Sequence, residues 1–175
     1  GILSENQILL TSIEYRDSLS ILNGSAALNT DFLETNNIEG YFKLESLLGE
    51  LYDGEIILLE NDLSINTTFN NAPLNRFPQI PLFGDVTGEL NISGLIPEPD
   101  ISLTFQLQNG EYNSSPLEIE SSIELSSTDI QLKYLRLKFL NQILQKGSGE
   151  YNYKSGEFFF GNEVLGSLKD NTLKA

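Results

Sequence analysis

The stretch that decides the fold is ISLTFQLQ, Ile101–Gln108, in which every odd residue is apolar and every even one is Ser, Thr or Gln. Successive side chains of a strand point to opposite faces, so this period of two gathers Ile101, Leu103, Phe105 and Leu107 on one side. A helix would need apolar spacings of three and four, which the segment lacks. The same spacing continues outward, to Leu90 and Ile92 on one flank and to Leu117, Ile119, Ile123 and Leu125 on the other. Glu118, Glu120 and Glu124 alternate with the latter set. Farther out, Ile56 with Leu58 and Leu63 with Ile65 repeat it. Between the ribbons lie Asn23-Gly24, Asp53-Gly54, Asn109-Gly110, Ser155-Gly156 and Gly161-Asn162, dipeptides that favour turns. Short strands at intervals of roughly ten residues predict an all-β chain.

Two segments read both ways. In IQLKYLRLKFLNQIL, residues 130–144, Leu132, Leu135, Phe139, Leu140 and Ile143 would line a helical face. Leu135, Leu137 and Phe139 also alternate with Arg136 and Lys138, and the strand-like neighbours favour a strand. Residues 26–50 admit a short helix. The proline-bearing segment NAPLNRFPQIPLFG, residues 71–84, cannot be a central strand, because proline offers no ladder donor. It reads as a long connection or an edge crossing. LIPEPD, residues 95–100, reads as a turn between paired strands.

Composition bounds the chemistry. The 175 residues suit one domain or one segment of a longer protein, taken here as a single β-rich unit over 1–175. Only 20% are charged, and Asn, Ser, Thr and Gln fill the gap, which suits polar outer faces of sheets. Net charge is −15, with three Lys/Arg against 21 Asp/Glu in residues 1–132 and seven against four in 133–175. Lacking a broad basic footprint, the chain is not expected to bind nucleic acid. It has no Cys and no His, so thiolate chemistry is excluded and the commonest general base and metal ligand are missing. The opening GILSENQILL lacks the basic start and apolar core of a signal peptide, so any anchor or export signal is expected outside these residues.

Other candidate chemistry is thin. Glu118, Glu120 and Glu124 could supply paired carboxylates for glycoside hydrolysis, but they share one strand face and read as its solvated side. Glu98-Pro99-Asp100 lacks the dense Asp/Asn spacing of a calcium loop. Lys133, Arg136 and Lys138 form the one basic cluster, a solvated face or a contact for head groups. No catalytic residue, metal or cofactor is therefore expected, and the chain is not read as an enzyme. A faint repeat remains: Gly-Glu followed by Leu or Tyr occurs at Gly49, Gly88, Gly110 and Gly149, so the first pair returns after 61 residues. Each copy reads as a strand start, a few residues of ribbon, and a turn. Repeated hairpins imply a sheet that grows along one axis.

GDVTGELNISGLIPEPDISLTFQLQNGEY, Gly84–Tyr112, followed by a strand pair and GSGEYNYKSG, Gly147–Gly156, resembles the C-terminal region of the TamB family in the AsmA-like group. The resemblance spans residues 82–160. It departs at LIPEPD, where Glu98 and a second proline replace the more usual Asn-Pro, which bears on the turn and not on the strands. The resemblance implies an elongated antiparallel or mixed sheet curled into a taco-like trough, apolar within. It also implies a periplasmic segment of an inner-membrane-anchored envelope protein that conducts phospholipid and works with an outer-membrane barrel of the BamA/TamA type in outer-membrane biogenesis. Leu90, Ile92, Ile101, Leu103, Phe105, Leu107, Leu117, Ile119, Ile123 and Leu125 would line the apolar side. The competing expectation is a secreted or surface β-sandwich, its two sheets sealing the same face, that binds a protein or a carbohydrate.

Overall fold

In the computed structural model the alternation of Ile101–Gln108 extends into one antiparallel sheet of 14 strands whose spatial order is the chain order. The structure describes residues 2–4, 7–17, 19–29, 37–76, 82–140, 142–161, 163–169 and 172–174. The strands are β1 (Ile2–Ser4), β2 (Gln7–Arg16), β3 (Ile21–Asn29), β4 (Ile38–Ser46), β5 (Leu51–Leu59), β6 (Asp62–Pro73), β7 (Phe83–Leu95), β8 (Asp100–Tyr112), β9 (Ser115–Leu125), β10 (Asp129–Phe139), β11 (Gln142–Asn152), β12 (Glu157–Phe160), β13 (Glu163–Lys169) and β14 (Thr172–Lys174). Every neighbouring pair is a hairpin, and among the described residues no ladder joins β1 to β14, so the sheet is open. The ladders unite all strands in one sheet, not in the two that a sandwich requires.

Register keeps the apolar residues of successive strands on one side. Directly opposed residues share a face of the sheet. Ile56, Ile65, Ile92, Ile101, Leu125 and Ile130 are opposed in turn, one from each of β5 to β10. Leu90, Leu103, Ile123 and Leu132 form the next row along β7–β10. The segment that admitted a helix is β10 and β11. Its spacing of three between Leu132 and Leu135 is taken up by a bulge, where β10 advances from Leu132 to Tyr134 while β9 advances only from Ile123 to Ser122. One extra residue restores Leu135 to the side of Leu132. Bulges at Leu10/Ile13 on β2, Phe69/Ala72 on β6 and Leu107/Gly110 on β8 do the same. The helix that residues 26–50 admitted is absent among the described ones, which belong to β3, β4 and the turn after it; 30–36 lie outside the described residues.

The turns depart from the sequence expectation in an instructive way. Asn113-Ser114 joins β8 to β9 with φ of 50° and 62°, two left-handed residues that match the twist of the flanking strands. Turns at 96–99 and 153–156 also fall where expected. Asn23-Gly24 and Asp53-Gly54, however, lie inside β3 and β5, and Asn109-Gly110 sits at the β8 bulge. Gly54 serves close approach and not chain reversal: a Cβ there would lie 2.6 Å from the ring of Phe42, its cross-strand partner. Gly88, inside β7, lies between Phe69 and Phe105 in the same manner, so the Gly-Glu copies do not all mark strand starts. The 61-residue shift relates like positions in one of its two pairs only, since Gly49 lies in the β4–β5 turn and Gly110 inside β8. Gly88 and Gly149 sit within β7 and β11, four strands apart, each opposite a Phe.

The proline-bearing segment contributes to β6 as far as Pro73, makes a 3-10 turn at Leu74–Arg76, and re-enters the sheet at Phe83. Residues 77–81 lie outside the described ones. Leu74 and Leu82 pack against Val86, Leu107 and Leu117, the buried apolar cluster. Leu22 and Ala27 on β3 are also buried, at 4% each, while most other apolar residues are only partly so. The accessible surface of 11592 Å² for 19.5 kDa exceeds the ~8,500 Å² of a compact monomer of that mass. Among the described residues no helix is long and apolar enough to cross a membrane.

Candidate functional site

All ten residues expected to line an apolar surface lie on one face of β7, β8 and β9. Leu90 opposes Leu103, which opposes Ile123; Ile92 opposes Ile101, which opposes Leu125. Leu107 opposes Ile119, Phe105 opposes Ser121, and Leu117 opposes Gly110. Their exposure divides them. Leu107 is 1% exposed and Leu117 6%, both in the buried cluster against which Leu74 and Leu82 pack together with neighbours on the sheet face. The other eight are half-buried and reachable from outside. The face is also wider than the sequence reading allowed. It runs through Ile56 and Leu58 on β5, Leu63 and Ile65 on β6, and Ile130 and Leu132 on β10.

The opposite face is polar, and on β9 and β10 its charges pair across the strands. Arg136 donates to Glu120 at 3.0 Å, Lys138 to Glu118 at 2.7 Å, and Lys133 pairs with Glu124 at 2.9 Å, all between β9 and β10. The candidate carboxylate set and the basic cluster are therefore partners of each other. Partly exposed cross-strand pairs of this kind contribute about 0.2–1 kcal/mol each. Glu98 and Asp100 are exposed at the β7–β8 turn.

One polar constellation was not foreseen. Arg76, in the 3-10 turn, inserts its guanidinium among Asp17 and Ser20 of the β2–β3 turn and Glu50 of the β4–β5 turn. Its Nη2 lies 2.6 and 2.8 Å from the two Glu50 oxygens and 3.0 Å from Ser20 Oγ, while Nη1 donates to Asp17 Oδ2. Glu50 is 3% exposed and also accepts from Tyr52 Oη at 2.6 Å and Ser20 Oγ at 2.9 Å. The Arg76 guanidinium carbon sits 5.8 Å from the Tyr15 ring centre. Arg76 Nε is buried without a partner among the described residues. Burial, then the Glu50 hydrogen bond and charge, push the Tyr52 phenol well above its ordinary range. The legible signal was Arg76 itself, one of three bases in the first 132 residues and set between prolines.

Chemically the arrangement offers an apolar surface flanked by a buried ion-pair network around Arg76. Comparison with protein families, curated proteins and solved structures finds no match.

Proposed function

We propose that the sheet curls about its apolar face into a trough that shelters phospholipid acyl chains. In this reading the chain is a segment of a conduit crossing the periplasm, anchored in the inner membrane and working with an outer-membrane barrel of the BamA/TamA type. The observation that carries it is the register, which keeps apolar residues on one side across β5–β10 while leaving them half-buried and not sealed by a second sheet. Each methylene transferred from water onto such a surface gains ~0.8 kcal/mol, so a fatty tail lies there without directional bonds. A surface that repeats from strand to strand holds the tail with little preference for position, and a passive conduit needs no catalytic group.

The test is a charge on the open part of the face. Leu103→Arg is expected to leave the strand content and cooperative unfolding in place while abolishing co-purification of phospholipid with the chain. If the variant instead fails to fold, Leu103 belongs to a sealed protein core, where a lone charge is very costly, and the trough reading falls.

A further inference from the structure

We infer that the turns at one end of the strands, led by Leu47 and Leu48, dock the sheet end-on against the surface of a neutral phospholipid bilayer. The inference concerns the strand ends and stands apart from the acyl-chain reading of the sheet face. Because neighbouring strands are antiparallel and joined in chain order, the turns after β2, β4, β8 and β10 share one end of the sheet. Those after β5, β7, β9 and β11 share the other. At the first end apolar side chains stand clear of the protein: Leu47 is 101% exposed, Leu48 80%, Phe83 60%, Leu140 56% and Tyr112 44%. Measured along the sheet, the β4–β5 and β10–β11 turns lie roughly 29 Å apart at ~4.8 Å per strand.

Charge separates the two ends. Counting those turns with the strand residue on either side, the first end holds Arg16, Asp17 and Glu50 among the described residues. Each has a partner: Asp17 and Glu50 bind Arg76, and Arg16 pairs with Glu14 at 3.3 Å. Glu111 and Asp85 lie one and two residues behind Tyr112 and Phe83, about 3.4 Å back per residue, and so remain in the wet headgroup layer. The opposite end holds Glu60, Asp62, Glu98, Asp100, Asp129 and Glu157 against one base, Lys154. Exposed apolar residues occur there too, Leu95 at 67% and Leu59 at 51%, but their entry into a bilayer would draw those carboxylates out of water.

The leading turn is also built for an apolar medium, where backbone donors must be satisfied within the chain. Ser46 Oγ accepts from the N–H groups of Leu48 and Glu50 at 3.2 Å each, and the Ser46 carbonyl accepts from Gly49 at 3.2 Å. Ser46 N–H donates to the Glu50 carbonyl at 2.8 Å, and Asn71 Nδ2 to that of Gly49 at 3.2 Å. The polar groups behind the two leucines thus enter already paired. A fluid layer accepts apolar tips scattered over such a span, whereas a protein partner would need a pocket for each. A net charge of −15 selects a neutral surface over an anionic one.

The chain has no Trp, so one introduced at a tip is a unique reporter. The probe is vesicles of phosphatidylcholine. Expected is a blue shift in the fluorescence of Leu47→Trp when vesicles are added, and none for Leu95→Trp at the opposite end. Replacing Leu47 and Leu48 together by Ser should lower the vesicle-bound fraction roughly tenfold or more, with strand content unchanged because both side chains stand in solvent. Leu103→Arg, on the sheet face, should bind vesicles like the native chain, which keeps this test separate from that of the acyl-chain reading. Absence of binding by the native chain, or equal shifts at the two ends, overturns the inference. So does a shift of Leu47→Trp that grows with protein concentration before lipid is added, since the tips would then meet a second copy.

Discussion

At the scale of single residues, the least expendable group is the carboxylate of Glu50. It is buried, and it receives Arg76, Tyr52 and Ser20 together. Removing one partner of a buried pair strands the other charge in a medium that solvates it poorly. Glu50→Ala should therefore lose about 3–5 kcal/mol of stability, read as a lower urea midpoint. Tyr52 gives a second test, in pH. Its phenol is held protonated in the folded chain, so the folded state binds more protons than the unfolded state once pH exceeds the ordinary tyrosine value of about 10. Its contribution is full below that pH and is lost as pH climbs beyond it. Tyr52→Phe should flatten the fall of stability with pH in the alkaline range relative to the native chain, and parallel slopes would refute the assignment.

At the scale of elements, the strands are held in register by shape as much as by hydrogen bonds. A Cβ on Gly88 would strike the Thr104 carbonyl oxygen and lie 2.9 Å from both Phe105 Cα and Phe69 Cζ. Backbone cannot retreat from it, so Gly88→Ala should cost about 1–3 kcal/mol in a denaturant titration. Gly54→Ala should cost less, because the atoms nearest its new methyl are the far edge of the Phe42 ring and the Thr67 hydroxyl, which can swing away. This explains what the sequence misreported. Asn-Gly and Asp-Gly signal hairpins through positive φ, yet Gly24 and Gly54 are extended, and a local rule cannot see the ring or backbone of the next strand. The ambiguous stretch 130–144 is strand, as its alternation and its neighbours favoured, but its second signal had a different cause. Its spacing of three is helical by periodicity, and only the register against β9 reveals it as a bulge.

At the scale of the molecule, an open sheet leaves more surface wet than a folded chain of this size normally does. With 11592 Å² exposed, unfolding uncovers about 15% less new surface than for a compact monomer of equal mass. The urea m-value scales with that surface and should fall short by a similar fraction. A value at or above the compact expectation would mean that the sheet closes upon itself in solution. The same openness makes the apolar face available, and its charges are arranged to suit. The polar side is laced with ion pairs between β9 and β10, whereas the rows from Ile56 to Ile130 carry none.

The alternation of apolar and polar residues was enough to establish strands, their all-β class, their hairpin succession and the side on which Leu90 through Leu125 fall, because side-chain direction in a strand depends only on position parity. It also placed the ten candidate residues on a common face, since register between neighbouring hairpins follows from keeping that face apolar. What it could not establish is which of those ten stay reachable. That was decided by tertiary packing, which buries Leu107 and Leu117 in a cluster that Leu74 and Leu82 pack against and lets Arg76 find carboxylates 26 and 59 residues away in sequence. Contacts of that range leave no periodic trace, because they join a turn to other turns and belong to no repeating pattern.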